Sequence, residues 1–338
     1  MKLHLKKLKD QVMVITGASS GIGLTTARMA AQRGARVVVA ARNEDALRDF
    51  VEDVRDNGGQ AHYVVADVES ETDIRKIAQE AITQFGGFDT WVNNAGKSIY
   101  GPIKDVDIDD ARTLFETNFW GVVHGSRVAV EHLRANGGAL INIGSEVSDI
   151  AAPLQGFYSS SKHAVKGFTD ALRMELEEDK APVSVTLIKP GPIDTPFTQH
   201  AKNLLPDEPT HVAPVYSPDI VAGAILFAAE HPVRDQLVGG GAKLMTEVGR
   251  WAPRVADKLM QSQLIKGTHS GRPATRDREG ALYKPGFGGQ ERGDYSGHVH
   301  ERSLYTTAAL HPIIAGALGL GVAVAFAVLV RSGLSSDN

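Results

Sequence analysis

Short apolar runs and amphipathic stretches alternate along the first 240 residues of this 338-residue chain. A short apolar run between turn residues predicts a buried strand, and apolar residues spaced three or four apart predict a helix. The predicted strands are residues 12–16, 36–41, 61–66, 88–92, 139–143, 183–188 and 237–239. The predicted helices are residues 24–33, 44–57, 71–85, 107–117 with a continuation to 134, 157–179 and 218–230. This alternation predicts an α/β fold, a Rossmann-type doubly wound parallel sheet in three α/β/α layers.

The pattern changes after residue 240, so the chain divides into an α/β domain, residues 1–240, and further segments. Residues 241–266 carry apolar side chains on one side, which predicts an amphipathic helical extension. That extension covers the core, pairs with another subunit or lies on a membrane surface. Residues 267–303 are polar and rich in glycine, which predicts a flexible linker.

The end of the chain is strongly apolar. Residues 304–330 contain no charged side chain, and residues 313–330 alone would span about 27 Å as a helix, close to the ~30 Å hydrocarbon core of a bilayer. We therefore expect a transmembrane helix over 304–331 and a short polar tail over 332–338. This would be a single-pass C-terminal membrane anchor with the α/β domain on the cytoplasmic side. An apolar helix docked on the α/β domain or on a partner subunit is the alternative.

Composition removes several classes of site. The chain has no cysteine, which excludes disulfides, thiolate metal sites and cysteine nucleophiles and fits a reducing compartment. No metal site is predicted. The formal net charge of −4 gives no reason to expect nucleic acid as a partner. The basic residues 1–10 lead into an apolar run that is too short for a secretory signal.

A glycine-rich turn separates the first predicted strand from the first predicted helix. Gly17, Gly21 and Gly23 let the backbone approach a pyrophosphate, and the helix that follows offers unpaired N–H groups to it. The order of strand, glycine-rich turn and helix therefore predicts a dinucleotide site. A tight turn that binds no ligand is the alternative.

Arg42 stands at the end of the second predicted strand, roughly twenty residues past the glycine-rich turn. A carboxylate at this place suits the ribose of NAD, whereas an arginine suits the 2′-phosphate of NADP. We therefore expect NADP(H) as the cofactor. The alternative is a solvated surface arginine near Glu44 and Asp45.

Tyr158 and Lys162 lie four residues apart on the helix predicted over 157–179, so their side chains meet on one face. A phenol ionises near pH ~10, so proton transfer at neutral pH needs such a cation beside it. The spacing is not unique, because Tyr100 and Lys104 repeat it. Gly101-Pro102 breaks that second turn, however, and separates its two side chains.

The candidate residues fall where predicted strands end, and parallel strands bring their carboxyl ends to one edge of a sheet. In chain order they resemble the motifs of the short-chain dehydrogenase/reductase family over roughly residues 10–240. The motifs are residues 16–23, residues 93–96, Asn118, Ser145, Tyr158-x-x-x-Lys162 and Pro190-Gly191.

The resemblance implies an NADP(H)-dependent carbonyl reductase or alcohol dehydrogenase. Tyr158 would transfer a proton, and Lys162 would lower its pKa and hold the nicotinamide ribose. Ser145 would bind the substrate oxygen, and Asn118 would hold a water that links Lys162 to solvent. The implied cofactor contacts are Gly17, Ser19, Ser20, Gly21, Ile22, Gly23, Arg42, Asp67, Val68, Asn94, Ala95, Gly96, Tyr158, Lys162, Pro190, Gly191, Ile193 and Thr195. Taken singly, Ser145 could instead satisfy backbone groups at a strand end, and Asn118 could bond a neighbouring turn.

Residues 200–216 form an irregular stretch, which the resemblance makes a substrate lid. Its apolar members and the predicted anchor favour a lipophilic carbonyl or alcohol as the substrate, although the same apolar residues could instead pack the lid against the α/β domain.

The resemblance further implies a dimer or tetramer. Alternative chemistries of the family are 3-oxoacyl reduction and epimerisation. A tail-anchored scaffold that senses NADP(H) without turnover is the alternative from another class.

Overall fold

A seven-stranded parallel sheet lies at the centre of the computed structural model, which describes residues 3–274 and 277–311. The strands are, in chain order, β1 (Val12–Thr16), β2 (Arg36–Ala41), β3 (Ala61–Val65), β4 (Thr90–Asn93), β5 (Ile99–Tyr100), β6 (Gly138–Ile143), β7 (Val183–Pro190), β8 (Lys202–Asn203), β9 (Asp207–Pro209), β10 (Val215–Tyr216), β11 (Asp235–Val238), β12 (His269–Pro273) and β13 (Val299–His300). The large sheet has the order β11-β7-β6-β4-β1-β2-β3, and all of its neighbours pair in parallel. The predicted Rossmann-type α/β fold is confirmed.

Helices cover both faces of this sheet. They are α1 (Gly21–Gln32), α2 (Glu44–Asp56), α3 (Glu71–Phe85), α4 (Ile108–Phe115), α5 (Gly121–Asn136), α6 (Gly156–Glu178), α7 (Phe197–His200), α8 (Pro218–Glu230), α9 (Gly240–Trp251), α10 (Pro253–Gly267) and α11 (Leu304–Leu310). Met13 and Ile15 of β1 join the core on the side of α1, α2 and α8. Val12 and Val14 join the core on the side of α3, α5 and α6. Alternate residues of one strand thus pack into the hydrophobic cores on opposite faces of the sheet, as expected for a parallel sheet buried on both faces.

The stretch predicted as helical between residues 107 and 134 is interrupted. Between α4 and α5 lies one π-helical turn, Glu116–Trp120, which contains Asn118. Such turns insert an extra residue into the helical ladder and are frequent at functional sites. Asn118 therefore lies at the irregular turn between α4 and α5.

The amphipathic extension contains two helices. The sequence predicts a single helix over most of residues 241–266, but the structure ends α9 at Trp251 and begins α10 at Pro253. Proline has no N–H to donate and its ring clashes with the preceding turn, so it ends one helix and suits the first position of the next. The packing of α9 against β11, and of α10 against α9, agrees with a role in covering the core.

The stretch predicted as a flexible linker, residues 267–303, lies against the α/β domain where it is described. Strand β12 pairs antiparallel with β9, and β13 pairs parallel with β10. Leu282 is buried in a cluster with Ile99 and Leu114. This correction to the prediction has a simple cause. The stretch is held by backbone hydrogen bonds, which polar and glycine-rich sequences can form as well as apolar ones, and by side-chain contacts such as those of Glu279 with Lys202 and of Tyr283 with Asp110.

The predicted membrane span begins inside the described region. Its first residues form α11, whose Thr306 hydroxyl accepts a hydrogen bond from Gly239 N at 3.0 Å, and the His311 ring lies 5.4 Å from that of Phe227. Residues 304–311 thus dock on the α/β domain. The remainder of the predicted span, 312–331, and the tail, 332–338, lie outside the described residues. Within residues 3–274 and 277–311, no helix is long and apolar enough to cross a membrane.

Candidate active site

A cavity of about 670 Å³ lies along the carboxyl ends of the parallel strands. The sheet order brings the ends of β1 and β4 together at the place where the chain reverses direction across the sheet, which is where ligands bind in such folds. Among the predicted site residues, those that line the cavity are Gly17, Ser19, Ser20, Gly21, Ile22, Arg42, Asp67, Val68, Asn94, Ala95, Gly96, Ser145, Tyr158, Lys162, Pro190, Gly191, Ile193 and Thr195. Asn118 and Gly23 stand behind its wall.

Tyr158 and Lys162 share one face of α6. Lys162 is 4% exposed, and its ammonium donates to the carbonyl of Ile143 at 2.8 Å. Its Nζ lies 5.8 Å from the centre of the Tyr158 ring, and that ring also packs against Phe197 at 5.5 Å between centroids. The pair is therefore fixed at the end of β6, beside the cavity.

Ser145 follows β6 and caps a short 3₁₀ turn. Its hydroxyl accepts from Val147 N at 3.3 Å, and its own N–H donates to the hydroxyl of Ser148 at 3.1 Å. The same hydroxyl lies beside the Tyr158 phenol and favours its ionised form, which opposes the effect of burial on the phenol pKa. Ser145 thus satisfies a backbone group at the strand end and also faces the cavity, and its contact with the substrate oxygen stays a prediction.

Asn118 is fully buried in the π-helical turn. Its Oδ1 accepts from Lys97 N at 2.7 Å, and its Nδ2 donates to Lys97 O at 3.0 Å and to the Ser161 hydroxyl at 3.1 Å. A methyl placed on Gly96 would lie 3.5 Å from Asn118 Oδ1 and 3.8 Å from Lys162 Nζ. The glycine therefore keeps the space between these two side chains clear. Asn118 therefore bonds a neighbouring turn, and Gly96 lies between it and the lysine.

Burial shifts the pKa of both members of the tyrosine–lysine pair. Burial raises the pKa of Tyr158 to about 12, and burial lowers the pKa of Lys162 to about 8. Burial is thus the main cause of both shifts, and the lowering of the Tyr158 pKa by Lys162 stays a prediction. Near neutral pH the ammonium is still charged, so it can act on a phenolate that forms during a reaction.

The backbone of the glycine-rich turn lies very close to the backbone of the residues that follow β4. Gly17 has φ of +65°, and a methyl there would lie 2.6 Å from Ala95 Cα, so no other residue fits without displacement. A methyl on Gly23 would overlap the carbonyl of Gly17. The Asn94 side chain donates to Thr16 O at 3.0 Å and to Gly17 O at 3.1 Å, which holds the turn in place from below.

The carboxyl end of β2 carries Arg42, whose Nη2 donates to Ala281 O at 2.8 Å and to Lys284 O at 3.0 Å. Its Nη1 lies 3.7 Å from a carboxylate oxygen of Asp67. The sequence gives no sign that residues this far along the chain would reach Arg42. Four residues of this distant segment line the cavity: Ala281, Pro285, Gly286 and Phe287.

The other end of the cavity, past Ser145 and Tyr158, is largely apolar. Its wall includes Phe197, Val212, Leu244, Met245, Leu259, Met260 and Leu264. Polar groups here are few and half-buried. Burial raises the pKa of Glu146 to about 7 and lowers the pKa of both His200 and His211 to about 4. Sequence reasoning did not identify these three residues, since nothing in their spacing distinguishes them.

Comparison with known proteins identifies the family. The family model described as "short chain dehydrogenase" matches residues 11–204. The Bacillus subtilis (strain 168) protein described as "Uncharacterized oxidoreductase YxnA" is 50% identical over 333 residues, which cover 98% of this chain and 93% of that protein. A match of this extent includes the segment that reaches Arg42.

Two further relatives match less of the chain. The protein named "11-beta-hydroxysteroid dehydrogenase A" from Sesamum indicum is 40% identical over 199 residues, 58% of this chain and 56% of that protein. A short chain dehydrogenase/reductase from Burkholderia phymatum, solved in complex with NAD, superposes with a TM-score of 0.67 at 24% identity over 75% of this chain and 96% of that chain. The last likeness concerns the fold alone. The family match and the Bacillus relative together show that this chain is an oxidoreductase of the short-chain dehydrogenase family.

Proposed function

We propose that this protein is an NADP(H)-dependent oxidoreductase that interconverts a carbonyl group and an alcohol. The observation that carries the proposal is the arrangement of Ser145, Tyr158 and Lys162 beside a cavity that also contains the glycine-rich turn. When bound, a nicotinamide cofactor would supply the hydride to the carbonyl carbon or accept it from the alcohol.

The residues beside the substrate would transfer the proton and stabilise the charges that form during the transfer. Tyr158 would donate its phenolic proton to the carbonyl oxygen in reduction and take it back in oxidation. Ser145 would hydrogen-bond the same oxygen as negative charge develops on it. The Lys162 ammonium would stabilise the phenolate that is left, and Asn118 would hold a water on the path by which the proton is replaced.

The residues present fit a dinucleotide. Gly17 and Gly23 leave a cradle that a β-carbon would fill, and α1 begins beside it at Gly21. The Gly21 N–H donates to Gln290 O, and the other N–H groups of the first turn suit a pyrophosphate. Asp67 and Val68 at the end of β3 suit the adenine. Ile193 and Thr195, after β7, suit the nicotinamide end.

Arg42 supports NADP(H) over NAD(H). We expect Arg42→Ala to raise the dissociation constant for NADPH by roughly 10- to 100-fold, because a hydrogen bond to a charged group contributes roughly 1.5–3 kcal/mol. Fluorescence titration with NADPH and NADH would measure this. NADH is the internal control, since a loosened wall of the cavity would weaken both cofactors and loss of a 2′-phosphate contact would weaken NADPH alone. Equal losses for the two cofactors would remove Arg42 from this role.

The apolar end of the cavity supports a lipophilic substrate, and the name of the Sesamum indicum relative, a hydroxysteroid dehydrogenase, points the same way. With NADPH loss followed optically, we expect kcat/KM for steroid or long-chain ketones to exceed that for small water-soluble ketones at least tenfold. Each buried methylene contributes roughly 0.8 kcal/mol. This panel also tests the function itself, since a sensor without turnover would consume no NADPH with any substrate.

Membrane attachment and assembly extend the proposal. We infer that residues 313–330 form a single-pass anchor that leaves the enzyme cytoplasmic and close to lipophilic substrates. Recovery of the full-length chain in a detergent-free soluble fraction would contradict it.

Met174 on α6 and Trp120, which precedes α5, are 63% and 45% exposed, which supports a homo-oligomer formed through these helices. Light scattering of the purified protein would test this.

A further inference from the structure

We propose that residues 280–292, here called the strap, are part of the cofactor site and open to let the cofactor enter and leave. The strap would form the outer wall of the subsite for the adenosine 2′-phosphate half of NADP(H). This inference rests on the proposed function.

The strap binds the glycine-rich turn directly. Gly21 N donates to Gln290 O at 2.8 Å, and Gly289 N donates to Ser19 O at 2.9 Å. Gly288 lies so close to α2 that a methyl group on it would overlap the methyl of Ala46 and lie 3.1 Å from Ser19 O. The backbone of the strap therefore packs on the backbone that would cradle the pyrophosphate.

The strap also binds the end of β2. Arg42 donates to two of its carbonyls, those of Ala281 and Lys284, and Asn43 Nδ2 donates to Gly286 O at 2.9 Å. These are the positions that would face the adenosine ribose. A ligand in this part of the cavity would lie between β2 and the strap, so it could not leave in the direction of the strap without displacing it.

The same segment reaches the substrate lid, residues 200–216. Ala281 N donates to His200 O at 2.7 Å, and the ring of Phe287 meets that of His200 edge to face at 4.3 Å. One segment therefore connects the adenosine end of the cavity to the element above the substrate end.

The contacts that hold the strap can be broken locally. Besides the hydrogen bonds above, Glu291 forms an ion pair with Arg28 at 2.6 Å, and the Arg28 side chain is 33% exposed. Polar contacts near solvent contribute little individually, and segments held by them open at a lower free energy than the core does. Leu282 is buried beside Ile99 and Leu114, and the Tyr283 hydroxyl donates to Asp110 at 2.6 Å, so these two residues anchor the start of the strap. The residues after them, which are held by the polar contacts above, can detach while the sheet stays folded.

The experiment measures NADPH dissociation from the full-length protein by stopped-flow fluorescence. Gly288→Ala should lift the strap, and we expect the dissociation rate to rise at least tenfold. Gly223→Ala is the matched control, because a methyl at this position in α8 meets nothing within 4 Å, and the rate should stay at the wild-type value. Glu291→Gln removes the ion pair with Arg28 without introducing a clash, and it should raise the NADPH dissociation rate by a smaller factor. It replaces Gly288→Ala as the test variant if Gly288→Ala fails to fold.

Because the chain has no cysteine, a dye on Gln290→Cys can report the strap itself. NADPH binding should change its fluorescence in a phase that matches the binding rate. Unchanged dissociation in both strap variants, or a dye that does not respond when NADPH binds, would overturn the strap proposal alone. If the wild-type protein binds no NADPH, the proposed function fails and the strap proposal fails with it.

Discussion

Replacing Tyr158 with phenylalanine is expected to lower kcat for carbonyl reduction by roughly 10²- to 10⁴-fold, the range for loss of a general acid. The substitution removes one hydroxyl and keeps the ring that packs against Phe197. The fold and NADPH affinity should therefore be retained. Steady-state NADPH oxidation with the best ketone of the panel measures the rate, and fluorescence titration measures cofactor binding.

Two other tyrosines provide the comparison. Tyr63→Phe is the control, because Tyr63 lies on β3, outside the cavity lining, with its hydroxyl 3.4 Å from Glu44, and it should leave kcat unchanged. Tyr100→Phe tests the second match to the same spacing. Tyr100 lines the cavity, so its loss could alter KM, but the lysine four residues on is separated from it by Gly101-Pro102. A fall in kcat as large for Tyr100→Phe as for Tyr158→Phe would contradict the assignment of the proton donor.

The central sheet and the ends of its strands were predictable because the signals are local. An apolar run such as that of β2, followed at once by Arg42, specifies both a buried strand and the side chain at its carboxyl end. In a parallel sheet the carboxyl ends share one edge. The sequence therefore predicts that Gly17, Asp67, Asn93, Ser145 and Pro190 meet, although they are far apart along the chain. Four of them line one cavity, whereas Asn93 is buried and donates to Asn142.

The strap was not predictable in the same way. Part of its attachment uses backbone carbonyls such as Gln290 O and Gly286 O, which every residue type offers. Its side-chain contacts, such as the ion pair of Glu291 with Arg28, have partners far away along the chain, so no local pattern marks them. Its composition matches that of a flexible linker. A partial signal was present in Leu282 and Phe287, apolar residues within a polar stretch, the first of which is buried.

The other differences between the predicted and the observed structure arise from single residues or from the burial of charged groups. Pro253 divides the helical extension, and this signal was visible in the sequence. The π-helical turn at Asn118 depends on tertiary packing, since nothing in Glu116–Trp120 differs from ordinary helical sequence. The pKa values of Tyr158 and Lys162 depend on burial, which spacing along a helix does not specify.

Replacing Lys162 with methionine is expected to lower kcat for reduction by about 100-fold or more. At a separation of about 6 Å and an effective dielectric constant of ~20, an ammonium stabilises a phenolate by about 3 kcal/mol, and each 1.36 kcal/mol changes a rate roughly tenfold. Methionine is similar in length but carries no charge, so the buried site stays filled. NADPH binding should weaken as well, because Lys162 would also hold the nicotinamide ribose.

The pH profile separates this charge from a structural effect. Burial lowers the pKa of Lys162 to about 8, so the wild-type ammonium is present below that pH and is lost as the pH rises through it. We therefore expect the wild-type reduction rate to fall above about pH 8 and the Lys162→Met variant to be slow at every pH, without that fall. Lys166→Met is the control, since Lys166 lies one turn further along α6, outside the cavity lining, and pairs with Asp170 at 3.1 Å. A Lys162→Met variant that kept the wild-type pH profile would show that another group titrates there and that the lysine charge does not assist Tyr158.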